Sequence, residues 1–374
     1  MYSFVKQHHY EKIYWLILPF IFSCSKNIED RCFVNEKDNR DGDYKEEIPY
    51  TVQQILNEKP DYLEIENLKS YRSFKKDSTG LHSEQISINN NEREAYLNQY
   101  SLLDKVFSNQ FWHYQKQQVA NILYALGHNR QGYWLLKIEN DKPSAYFLGL
   151  SFSHYYFNRI QERPIIKGDY LQIEGSLVKI VKVDGLPGYD DYSAIEDGKL
   201  FKIKLKDLTQ DSDQDGYNDI FEKSFGLNPN NKDTDGDGID DFNDMNPMYK
   251  SEKNKFSQLY DQLIQANSSG IENPEKLHYY FNVYINDCDY FHQINPDFRV
   301  LFIPENKKRR THYTRITDVT RGGISKIEKD EKNPNLFYIT KFGGGADTYS
   351  AEYKNSAEYK NGKWIIILIS QTIS

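Results

Sequence analysis

Residues 211–222, DSDQDGYNDIFE, and residues 233–244, DTDGDGIDDFND, place carboxylates at nearly the same spacings twice, 22 residues apart. Between residues 209 and 246 eleven carboxylates stand against two lysines, Lys223 and Lys232, while the whole chain carries a net charge of only −8. The whole of the acidic surplus is therefore confined to one short stretch, and the rest of the chain is close to neutral. Carboxylates that close repel one another unless they are solvated or share a counter-charge. The stretch must either stay an open acidic linker or fold around cations.

The spacing favours cations. In the first loop Asp211, Asp213 and Asp215 occupy positions 1, 3 and 5, Gly216 position 6, Tyr217 position 7, Asp219 position 9 and Glu222 position 12. This is the full D-x-[DN]-x-[DN]-G-x5-E pattern. Calcium takes six to eight hard oxygens in a loose geometry. Alternate aspartates on a curling backbone turn inward together, the glycine permits the sharp turn, and the main-chain carbonyl of Tyr217 adds an oxygen. Asp219 acts directly or through water, and Glu222 reaches back with both oxygens. In the second loop Asp233, Asp235, Asp237, Gly238, Ile239, Asp241 and Asp244 fill the same positions. The closing residue there is the shorter aspartate, so closure is expected to be weaker, with help from a neighbour such as Asp240. Two Ca²⁺ ions are expected. Magnesium holds its waters too tightly to suit such loops.

A helix–loop–helix arrangement does not fit. An alternating strand-like run, Leu200–Leu205, precedes Asp211, and only about one turn of helix fits before Gly226. The tandem loops instead resemble bacterial thrombospondin type 3 repeats. That resemblance covers residues 209–248 and implies irregular, aspartate-rich loops in which calcium is structural, filled outside the cell, and stiffens the joint between flanking domains.

The chain opens with Lys6 and Lys12 and an apolar run from Ile13 to Phe22 that ends in Ile21-Phe22-Ser23-Cys24. Ten apolar residues are too few to span a bilayer as a helix but suit an export signal. A small residue directly before cysteine resembles the lipobox of bacterial lipoproteins of the Bacteroidetes type. The resemblance implies cleavage after residue 23, acylation of Cys24, and a membrane partner through that lipid. Ser25 after the cysteine, by analogy with that family, favours the outer membrane. Residues 25–48 are polar and read as a flexible tether with a reach of about 25–30 Å. Cys32 and Cys288 are left, and whether they pair stays open at this point.

The rest reads as α+β: two mixed domains, residues 49–208 and 249–374, joined by the acidic segment 209–248. Glu92–Leu126 has helical spacing, with Val119, Ile122, Leu123 and Leu126 forming a second stripe that Gly127 stops. Tyr133–Ile138 with Ala145–Leu150, and Tyr170–Ile173 with Leu177–Val183, read as hairpins. In the second domain Phe256–Ala266 reads as an amphipathic helix. Tyr279–Ile285, Arg299–Ile303, His312–Ile316, Leu336–Ile339 and Trp364–Ile369 read as strands. The duplicated SAEYKN at Ser350–Asn355 and Ser356–Asn361 lengthens a hairpin without changing which face each residue takes.

Other features carry less. Lys307–Arg310 is a basic cluster read as a solvated hairpin loop, and Gly343–Gly345 lacks the ending of a phosphate-binding loop. With no broad basic surplus, nucleic acid is not an expected partner. No serine, cysteine or zinc-type catalytic motif occurs, so no enzyme is expected. The functional expectation is a calcium-binding, lipid-anchored envelope protein with a scaffold or adhesive role and a protein or glycan partner at the cell surface. The alternatives are a calcium-stabilised envelope hydrolase and a glycan-binding lipoprotein.

Overall fold

A computed structural model describes residues 27–35, 49–78, 90–182, 190–265, 273–307, 310–311, 313–319, 322–344 and 350–373. The expected signal segment and Cys24 lie outside these residues, as do Lys308, Arg309, His312 and Gly345. Strand outweighs helix, 39% against 21%. The expectation of mixed α+β domains is therefore corrected: the protein is mostly β, built from several antiparallel sheets with short helices between them.

In chain order the first strands are β1 (Leu63–Asn67), β2 (Trp112–Val119), β3 (Ile122–Asn129), β4 (Gly132–Glu139), β5 (Lys142–Phe147), β6 (Tyr155–Phe157), β7 (Ile166–Lys167), β8 (Tyr170–Lys182) and β9 (Asp190–Lys204). They form an antiparallel meander, β2-β3-β4-β5, and a second sheet, β1-β9-β8-β6, with β7 paired to β8. The later strands are β10 (Asn282–Ile285), β11 (Val300–Ile303), β12 (Arg310–Thr311), β13 (Thr314–Arg315), β14 (Gly322–Ile324), β15 (Glu328–Lys329), β16 (Leu336–Gly344), β17 (Ser350–Lys360) and β18 (Lys363–Ile373). Here β14-β16-β17-β18 is the main sheet, with β15 on β16.

The excess of strand traces to particular residues. Val119, Ile122, Leu123 and Leu126 satisfy a helical stripe, yet they lie in β2 and β3. Ala120, at a φ of 51°, makes the tight turn between them. Short apolar runs fit either period, and the neighbouring strand β4 decides this one. Gly127, expected to end a helix, lies within β3, where a Cβ would stand 3.1 Å from the Trp112 carbonyl. Glu174-Gly175-Ser176, expected to turn, stays inside β8 and produces only a shift in its pairing with β9. The helix Asn90–Val106 does form, and so does Lys255–Gln265.

Two hydrophobic cores meet along one ribbon. The first gathers β1 to β9 and also takes in Tyr217, Phe221 and Phe225 of the acidic segment. The second gathers the helix Lys255–Gln265, β16 to β18 and Phe33. The parallel pair β10–β11 lies between them. Val283, Leu301 and Ile303 belong to the first core, and Tyr284, Val300 and Phe302 to the second. Successive side chains of a strand point to opposite faces, so this ribbon is buried on both sides. The hydrophobic contact thus runs across the expected boundaries at 208 and 249. Buried amides tie the seam further: Asn129 Nδ2 donates to the Tyr279 carbonyl at 2.6 Å and Gln131 Nε2 to the Phe281 carbonyl at 2.7 Å.

The N-terminal end of the tether is also fixed. Residues Ile28–Cys32 form a helical turn capped by the Asn27 side chain, and Cys32 is disulfide-bonded to Cys288. Phe33 bridges to Ile327 beside β15. Within the stretch 25–48 expected as a tether, Cys32 and Phe33 are thus tied to the fold. No described helix is long and apolar enough to cross a membrane.

Candidate metal centre

The two acidic loops are built alike. Asp211 accepts the backbone N–H groups of Gln214 and Gly216, and Asp233 accepts those of Gly236 and Gly238. Positions 4 and 6 are left-handed in both: φ is 64° at Gln214 and 120° at Gly216, 71° at Gly236 and 104° at Gly238. At Gly216 two requirements coincide, because a Cβ there would also meet the Phe242 ring at 2.9 Å. Asp215 Oδ1 accepts from Tyr217 N at 2.7 Å, and Asp237 Oδ1 from Ile239 N at 2.9 Å.

Carboxylate oxygens converge in three groups: Asp211, Asp213 and Asp215; Asp233, Asp235 and Asp237; and Asp215, Glu222 and Asp241. Within each group the oxygens lie within 4.8 Å of one another. Two ligands on a calcium ion, each at 2.3–2.6 Å, stand at most roughly 5 Å apart, so each group is compact enough to share one cation. The third group was not expected. Asp241 belongs to the second loop but stands with the closing residues of the first.

The ninth positions have another duty that the sequence reading did not assign. Asp219 accepts from Ser212 N and Oγ, at 2.9 and 3.0 Å, and Asp241 accepts from Thr234 N and Oγ1, at 2.8 and 2.6 Å. Each staples its loop to the hydroxyl residue at position 2. Asp219 also pairs with Lys223 and falls in none of the three groups. Asp244 likewise stays outside them, with Oδ1 accepting from Asn246 N at 2.9 Å. A hydroxyl seven residues before an aspartate, present in both loops, was the readable signal.

The loops differ in depth. Tyr217 is 1% exposed and stacks on Phe221, whereas Ile239 is 48% exposed. Glu222 sits on the short helix Asp219–Phe225, most of whose residues are buried. Phe221 drives that helix inward, packing against Trp134, Phe147 and Phe281. Asn218 pairs with both backbone groups of Phe147, which fixes the first loop to β5. The second loop is held from the other side: Asn246 Nδ2 donates to the His292 carbonyl, and the buried Arg299 donates to the Asp244 carbonyl and approaches His278 Nδ1.

Glu222 has 0% exposure, and neither of its carboxylate oxygens has a hydrogen-bond partner among the described residues. The same holds for one oxygen each of Asp213, Asp215 and Asp235. Burying a carboxylate without partners is costly, and such a group holds a proton or a cation. Burial, then Asp213, Asp215, Asp219 and Asp241, pushes Glu222 up to about 9. Burial first, then neighbouring carboxylates, pushes Asp215 to about 7 and Asp235 and Asp241 to about 6. The donor set is all oxygen, without sulfur or imidazole, which suits a hard divalent cation.

No protein-family model matches the chain, and no curated protein or solved structure matches it.

Proposed function

We propose that this is a calcium-binding lipoprotein of the cell envelope in which the cations brace the seam between two β-rich halves. The observation that carries this is Glu222: a carboxylate sealed from water, with both oxygens unpaired, facing Asp215 and Asp241. Asp211, Asp213, Asp215 and Glu222, with Asp241 crossing over, hold the first ion. Asp233, Asp235 and Asp237 hold the second and more exposed one. Calcium supplies the positive charge that lets these groups ionise together. The protein's own residues supply the depth, since Asn218 joins the first loop to β5 while Asn246 and Arg299 join the second to the other half. The role is that of a rigid scaffold held to the outer membrane through an acylated Cys24, with a protein or glycan partner at the surface.

The test is calcium titration of the disulfide-intact protein by calorimetry, with melting curves in parallel. Two ions and a marked rise in melting temperature are expected, because a ligand bound only by the folded state stabilises it by RT ln(1 + [L]/Kd). Absence of binding at several millimolar calcium would sink the reading. Lipid attachment is checked separately, by mass measurement of the exported protein against a Cys24→Ser variant.

A further inference from the structure

The helix Lys255–Gln265 starts beneath the last hairpin of the chain, β17–β18. There the Lys255 ammonium stands among four aromatic rings. Its Nζ is 4.7 Å from the ring centroid of Phe337, 4.8 Å from Tyr359, and 5.3 Å from both Phe256 and Trp364. The rings do not stack. Phe256 and Phe337 meet at 83°, Phe337 and Trp364 at 75°, and Tyr359 and Trp364 at 60°. Phe256 and Trp364 are tilted by 42°, and the four rings come from three places in the fold: the helix, β16 and the β17–β18 hairpin. Phe337 and Trp364 are buried, Phe256 and Tyr359 half-buried, so the box has a floor and an open rim. The Trp364 indole N–H donates to the Lys255 carbonyl at 2.6 Å, which fixes that wall.

A cation within about 6 Å of a ring face is drawn to its negative quadrupole, and cages of several rings recognise methylated ammonium groups. A primary ammonium is a poor occupant. It carries three N–H donors, and among the described residues the Lys255 ammonium makes no hydrogen bond and no ion pair. Burial pushes its pKa below the ordinary lysine value. A trimethylammonium group has no donors to satisfy, and its methyl groups gain contact with every ring. The lysine stem rotates freely about its single bonds, so it can leave without disturbing the backbone.

We propose that Phe256, Phe337, Tyr359 and Trp364 form a binding site for a quaternary ammonium group, and that Lys255 fills the site until such a ligand displaces it. This goes beyond the calcium reading and does not depend on it. The trimethylammonium group has two possible sources, a lipid headgroup or a free small molecule. Phe33 packs edge-on against Phe256, with ring centroids 5.1 Å apart, beside the box.

The experiment uses the disulfide-intact, calcium-loaded protein and tetramethylammonium chloride as probe, followed by calorimetry and by the Trp364 indole N–H resonance. Lys255→Gln keeps a stem over the rings and removes the charge; Lys255→Ala empties the box. We expect both variants to bind the probe at least tenfold more tightly than the unsubstituted protein, with the Trp364 resonance shifting. Adding Tyr359→Ala should weaken that binding at least fivefold, and sodium chloride should not compete. Should Lys255→Ala fold poorly, the Lys255→Gln result and the indole shift in the unsubstituted protein decide. A failure of the folded variants to bind, or binding that Tyr359→Ala leaves unchanged, overturns the proposal. Where the site does bind, sedimentation with phosphocholine vesicles against phosphoglycerol vesicles assigns the source: retention on the former alone indicates a headgroup, and binding of free choline without retention indicates a soluble ligand.

Discussion

At the scale of single residues, Glu222 decides the chemistry. Its raised pKa gives a pH dependence with a definite sign. An unfolded glutamate ionises near 4.3, whereas the folded one keeps its proton up to about 9. Between those limits the folded state binds more protons than the unfolded one, so stability falls as pH rises. With calcium chelated, the melting temperature is expected to drop by about 5 °C or more between pH 5 and pH 8. Glu222→Gln should lessen that slope, leaving the part set by Asp215, Asp235 and Asp241, and it should cost at least tenfold in calcium affinity. A flat profile for the unsubstituted protein in chelator contradicts the reading. The twelve-residue pattern made the aspartates and Glu222 legible as a set, because alternate spacing and one glycine are local matters. Arg299 was not legible, since a buried arginine beneath the second loop comes from the link just before β11 and leaves no mark near residue 244. The capping of Asp219 and Asp241 by Ser212 and Thr234 was present in the sequence as a spacing but lost among the carboxylates.

At the scale of elements, the two loops interlock. Asp241 faces Asp215 and Glu222 rather than Asp233 and Asp235. Asp241→Asn should therefore weaken the first ion about as much as Asp215→Asn does, while Asp235→Asn should touch only the second. Calorimetry that resolves the two sites checks this; an Asp241→Asn variant that loses only the second ion is the contrary result. Elements set by local rules were readable: the helix at Asn90–Val106, the β4 and β5 strands, and the turn at Asn361-Gly362, both left-handed, that lets β17 return as β18. The duplicated hexapeptide lies within and at the end of β17, and its pairing with β16 is unbroken from Leu336 to Gly344, so Tyr353 and Tyr359 take the same face. Elements set by neighbours were not readable. Residues 122–126 became strand because β4 lies beside them, and β10–β11 is a parallel pair whose two strands are joined by residues 286–299, a link no local pattern announces.

At the scale of the molecule, the halves are joined by the buried ribbon β10–β11, by the acidic loops and by the Cys32–Cys288 bond. The cysteines are 256 positions apart. In the chain-entropy account, a loop of that order restricts the unfolded chain by roughly 5 kcal/mol. Cys32→Ser should therefore lower the melting temperature by about 6 °C in the calcium-loaded protein, read by calorimetry. A shift under about 2 °C indicates that the bond adds little beyond the packing of Phe33. The same bond has a consequence for damage. It turns the polypeptide from residue 32 to residue 288 into a closed ring, so one cut by a protease anywhere within that ring opens it without releasing a fragment. A singly clipped molecule migrates as one species on a gel without reductant and as two with it, and the two pieces stay covalently joined until the bond is reduced.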